Sequence, residues 1–171
     1  MPGALLGITV LQVALLACIA IIDLKRRTIH SGVLLALAGL SLFSALANNH
    51  PVLPSALVGA LFAGGAFGLA YQGGRLFGRQ IDAPPETIVF GKGDVWLGTV
   101  CGLAVGFPGA LAVVLLAMLF GGLSAGVYVA VFSWTGRGYQ PFTALPYGQN
   151  IALATLAVMI SPIHFFAIGH S

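Results

Sequence analysis

The chain has 171 residues, of which 58% are hydrophobic and only 6% charged, against about 25% charged in an ordinary soluble domain. That balance excludes a water-soluble globular enzyme and places the chain in a lipid bilayer. The formal charge of +3 arises from seven basic residues and four acids, too few and too scattered through apolar sequence to track a phosphate backbone, so nucleic acid is excluded as a partner.

Apolar runs between polar or Gly/Pro breaks predict six membrane-spanning helices at residues 4–22, 32–47, 52–72, 94–106, 109–134 and 148–168. The fold class that follows is all-α, a polytopic membrane protein forming one transmembrane domain over residues 1–171. The first run ends at Asp23 and is followed by Lys25, Arg26 and Arg27. A secretory signal carries its basic residues before the apolar stretch, so this run reads as an uncleaved first span. "NNHP" separates the second and third runs, and a long segment, "GGRLFGRQIDAPPETIVFGKG", separates the third and fourth. The fourth run is short: a dozen residues reach ~18 Å of a ~30 Å hydrocarbon core, so it is expected to be sunken, tilted or partly re-entrant. "FPG" makes a tight break before the fifth run, and "TGRGYQPFTALPYGQ" leads into the sixth.

The basic residues orient these spans. Lys25, Arg26 and Arg27 fall in the first connection, Arg75, Arg79 and Lys92 in the third, and Arg137 in the fifth, so all seven lie on one side. By the positive-inside rule that side is cytoplasmic and both termini face away from it. Trp96 and Trp134 lie near the same boundary and read as interfacial anchors. Cys18 and Cys101 sit in apolar runs without a C-x-x-C pattern and read as small residues packed between helices. His30, His50, His164 and His170 lie in separate segments, so neither a metal site nor a cofactor is expected.

Only four acids exist: Asp23, Asp82, Glu86 and Asp94. Asp23 closes the first span and Asp94 opens the fourth, which puts two carboxylates at the same, cytoplasmic edge. Such a pair suits aspartic proteolysis, in which one carboxylate activates water and its protonated partner donates a proton. Helix position suggests how the two divide the work: Asp94 at a helix N-terminus is favoured as the anion, and Asp23 at a C-terminus as the acid. Two other readings compete. Paired membrane acids can relay ions in a transporter or proton-conducting protein, although such acids usually lie near mid-bilayer. "GLSAG" around Ser124 matches the serine-hydrolase pattern, with His164 as its partner, but predicted heights along the two spans keep them apart and no strand-to-helix elbow is present.

The run "FGKGDVWLGTVCGLAVG" resembles the Gly-x-Gly-Asp signature of the type IV prepilin leader peptidases, integral-membrane aspartic peptidases. Gly91, Gly93 and Asp94 match the motif. "IIDLKRRTIHSGVLL" resembles the family's other catalytic segment, with Asp23 at the aspartate and His30 where proline is common. "QPFTALPYGQNIALA" is similar to the start of the family's last helix. The resemblance implies a catalytic pair of Asp23 and Asp94, with Gly91, Lys92 and Gly93 shaping the site. Its substrates would be prepilin or pseudopilin helices with short basic leaders, cut at the cytoplasmic edge of the bacterial inner membrane. Asp82 and Glu86, on the same side, are candidates for attracting the leader. The cysteine-rich segment of methylating members has no counterpart here, so a peptidase-only form is expected.

Overall fold

The computed structural model describes residues 2–26, 30–80, 91–134 and 147–161, and the described residues form six α-helices and no strand. These are α1 (Pro2–Arg26), α2 (Ser31–Ala47), α3 (Leu53–Gln80), α4 (Lys92–Val105), α5 (Gly109–Trp134) and α6 (Gly148–Ile160). Three of them, α1, α3 and α5, are long and apolar enough to cross a membrane, and α2 and α6 are shorter apolar helices. No more than 22% of the most apolar stretch of each long helix is buried inside the protein. Leu61, Leu69 and Val127 are among the many apolar side chains left on the outside, an exterior that only lipid can cover.

Three boundaries differ by four residues or more from those read in the sequence. Helix α1 runs to Arg26, four residues past the predicted end of its span, so Lys25 and Arg26 are helical. Helix α3 runs eight residues past the predicted end of its span, so Arg75 and Arg79 stand on its last turns instead of in a loop. Hydropathy detects where a helix leaves lipid, not where it stops being helical. Helix α6 ends at Ile160, where Ser161 takes an extended backbone (φ −63°, ψ 143°), and the rest of the predicted span, 162–168, lies outside the described residues. The residue after Ser161 is Pro162, whose ring disfavours a helical conformation in the residue before it. Cys18 is exposed rather than packed between helices, because it faces outward from α1; Cys101 is buried, and both are free thiols.

The tightest contact is between α3 and α4, and it is built from residues without side chains. Gly98, Gly102 and Gly106 recur every fourth position along one side of α4. A Cβ on Gly98 would strike the Phe67 ring, one on Gly102 would strike the backbone of Gly59, and one on Gly106 would lie 2.7 Å from Ser55 Oγ. Small residues at this spacing let two backbones approach where lipid gives no hydrophobic drive to association. Gly106 also needs to be glycine for its backbone, since it ends α4 at φ +66°. Just beyond it, the Phe107 N–H donates to Ser55 Oγ at 3.0 Å, and the Ser55 hydroxyl donates to the Phe107 carbonyl at 2.8 Å. The turn into α5 is thereby fastened to the start of α3.

Around this pair, α6 packs against α1, α4 and α5, while α2 packs against α1 and α4. The core they share includes Leu16 and Ile19 of α1, Leu37 of α2, Phe67 of α3, Leu97 and Cys101 of α4, Val113 of α5 and Ile151 of α6. One buried polar contact ties α1 to α2: Gln12 Nε2 donates to Ser41 Oγ at 3.1 Å, and the Ser41 hydroxyl donates to the Leu37 carbonyl at 2.8 Å.

Gly102→Ala is expected to destabilise the protein by about 1–3 kcal/mol, because the methyl meets backbone that cannot rotate away. Gly65→Ala, whose Cβ would meet nothing within 4 Å, should leave the melting temperature in detergent unchanged or slightly raised. Equal melting temperatures for the two variants would contradict the close approach of α3 and α4.

Candidate active site

Asp23 lies in the last turn of α1 and Asp94 in the first turn of α4. Both are buried, with 4% and 9% of their surface exposed. Two carboxyl groups so deeply enclosed in an apolar bundle have lost most of their hydration, and protein donors must replace it.

The first donor comes from the start of α4. Gly91 is the residue preceding the helix, and its N–H donates to Asp94 Oδ2 at 2.9 Å. In return the Asp94 N–H donates to the Gly91 carbonyl at 3.1 Å. This is half of a capping box: Asp94 reaches back to the free N–H, and Gly91 has no side chain to complete the exchange. Gly91 has a negative φ of −87°, so its backbone uses no conformation reserved for glycine. Lys92 is exposed, Gly93 is half-buried, and both sit on the same turn as Asp94.

The second donor comes from an element in which the sequence reading assigned no site residue. The Gln149 N–H, in the first turn of α6, donates to Asp23 Oδ2 at 2.9 Å. Because the first N–H groups of a helix have no partner within it, the start of α6 is a ready donor for a carboxylate. Asp23 thus lies at the C-terminus of its own helix and against the N-terminus of another. The helix-position argument that favoured Asp94 as the anion and Asp23 as the acid therefore no longer separates them: each carboxylate holds one N–H from a helix start.

Between the two donors lies Gly148. A Cβ placed on it would stand 2.8 Å from Asp23 Oδ2 and 3.2 Å from Asp94 Oδ1. A single point thus lies within contact of both carboxyl groups. The two acids, far apart in sequence, meet across the first turn of α6. Its start is held from the far side by Tyr147, whose ring lies against Gly121 and whose hydroxyl donates to the Ala117 carbonyl at 3.1 Å.

The acids share one end of the four helices α1, α2, α4 and α6, as expected, but α3 and α5 continue past them. Gly68 of α3 lies against Val95, and Asn150 of α6 faces Ser124 of α5. Both long helices therefore extend roughly ten residues, or ~15 Å, beyond the level of the acids. Trp96 and Trp134 are exposed, at 65% and 94%.

Ser124 is engaged in packing. Its hydroxyl donates to the Phe120 carbonyl at 2.7 Å, a bond within its own helix, and lies 3.3 Å from Asn150 Oδ1. Its proposed partner His164 lies outside the described residues, as do Asp82 and Glu86. Among the described residues, no three His, Cys, Asp or Glu side chains come together as a metal site.

A protein-family model described as the type IV leader peptidase family matches residues 10–126, more than half of the chain and including both acids. No curated protein and no solved structure matches it.

Proposed function

Because the chain belongs to the type IV leader peptidase family and is a multi-pass membrane peptidase, we propose that it is an aspartic endopeptidase with Asp23 and Asp94 as its catalytic pair. The observation that carries this reading is the convergence of Asp23 Oδ2 and Asp94 Oδ1 on one point beside Gly148. Two buried carboxylates this close cannot both hold a negative charge at low cost, so one shared proton completes the pair. The ionised member takes a proton from water as its oxygen attacks the scissile carbonyl carbon. The protonated member gives its proton to the carbonyl oxygen, producing a neutral tetrahedral intermediate. Collapse then breaks the C–N bond: the first carboxyl group gives its proton to the leaving amine while the other takes a proton back from a hydroxyl of the intermediate, which restores the singly protonated pair. The N–H groups of Gly91 and Gln149 hold the two carboxylates in place during these transfers.

The substrates in this reading are type IV prepilins or pseudopilins, cut between a short basic leader and an apolar helix. The apolar helix lies in the bilayer beside these helices, and the cut is made near the cytoplasmic face of the bacterial inner membrane, with both termini of the peptidase on the other side. Gly91, Lys92 and Gly93 form the turn next to the reacting groups. Asp82 and Glu86, in the connection between α3 and α4, attract the basic leader.

Asp23→Asn and Asp94→Asn should each lower kcat on a prepilin substrate by at least about 100-fold, since an amide can serve neither as base nor as acid. Both variants should melt within a few degrees of wild type, and Ser124→Ala should keep its turnover. A kcat within about tenfold of wild type in either Asn variant would contradict the pair, and loss of activity in Ser124→Ala alone would restore the serine reading. Reversing the charge at both Asp82 and Glu86 should raise KM with little change in kcat; an unchanged KM removes them from leader binding.

A further inference from the structure

We propose that Gly148 is a positioning residue for this reaction: its missing side chain lets the first turn of α6 lie against both carboxylates without pushing them apart. The inference rests on the aspartic reading and adds to it a third structural element, the first turn of α6.

Glycine is a poor choice at this position on local grounds. It is among the weakest helix formers, and alanine would serve the first turn of α6 better. Its conformational freedom is not in use either, because Gly106 is the one described glycine with a positive φ. What remains is close approach. Gly148 is buried, and its Cβ would stand 2.8 Å from Asp23 Oδ2, 3.0 Å from Asp23 Cγ and 3.2 Å from Asp94 Oδ1. A methyl group would therefore press into the Asp23 carboxyl group and crowd Asp94.

The helix cannot back away to accommodate such a methyl. On one side, Tyr147 rests on Gly121 and its hydroxyl is bonded to the Ala117 carbonyl. On the other, the Gln149 N–H is bonded to Asp23 itself. Relief has to come from the carboxylates, either by breaking the Gln149 bond or by moving Asp23 away from Asp94. Either change separates the acid from the base, and a displacement of about 1 Å at reacting groups costs on the order of 100-fold in rate.

The test compares purified wild type, Gly148→Ala and Gly122→Ala in detergent on one prepilin substrate. Gly122, on α5, has nothing within 4 Å of its Cβ position, and its alanine variant should match wild type. Gly148→Ala should lose about 100-fold or more in kcat while KM stays within about threefold and the protein remains folded. Should Gly148→Ala fail to fold, adding Asp23→Ala should restore the fold, because the methyl then fits where the carboxylate was. Wild-type kcat in a folded Gly148→Ala overturns the proposal. So does a rise in KM alone, which would make the glycine part of a substrate groove, and so does a double variant that stays unfolded. Failure of the aspartic reading shows separately, as wild type that does not cleave or Asn variants whose kcat stays within about tenfold of wild type.

Discussion

Two buried acids can share a proton only if no side chain forces them apart, and in this protein the element packed against both is bare backbone. Helix α6 begins where α1 ends and α4 starts, with Gly148 facing both carboxyl groups and the Gln149 N–H bonded to one of them. A helix start is suited to this position because its free N–H groups supply the hydrogen bonds that water would give outside the membrane. The same turn brings the acids within reach of one point and meets part of the cost of burying them.

The rest of the bundle holds that turn and the start of α4 in register. Gly98, Gly102 and Gly59 bring α4 against α3 at backbone distance, which leaves Asp94 little freedom to move away from the bundle. The Ser55–Phe107 hydrogen bonds fix the opposite end of α4, so its height is set at both ends. Tyr147 fixes α6 against α5. These contacts use small residues and paired polar groups instead of large apolar interfaces, as expected where the surrounding lipid is as apolar as the side chains. The large apolar residues are freed to face outward.

Much of this was legible in the sequence because a bilayer simplifies the reading. Apolar length alone marked six helices, and acids are so rare in such a chain that Asp23 and Asp94 stood out at matching span ends. The Gly-x-Gly-Asp run pointed to the family whose model matches the chain. The reading was less accurate where hydropathy and helicity part company: "YQGGRLFGR" of α3 is too polar for lipid yet remains helical, and Pro162 stops α6 inside an apolar run. It passed over Gly148 and Gln149 for a different reason. Their effect exists only once α6 crosses the ends of α1 and α4, a contact separated by 126 positions in the Gln149–Asp23 bond. The same crossing removes the ground for choosing Asp23 as the acid, since that argument considered each acid's own helix and no other.

The claim on which the account depends is that Asp23 and Asp94 adjoin each other in the folded protein in its membrane. It is tested most directly by replacing Cys18 and Cys101 with alanine, introducing Asp23→Cys and Asp94→Cys together, and treating native membranes with a thiol cross-linker about 5 Å long, a reach comparable to a disulfide's Cα separation. The account predicts efficient cross-linking within one chain, matched by a Gln12→Cys and Ser41→Cys pair as a positive control. Cross-linking of the control without any between positions 23 and 94 would contradict it.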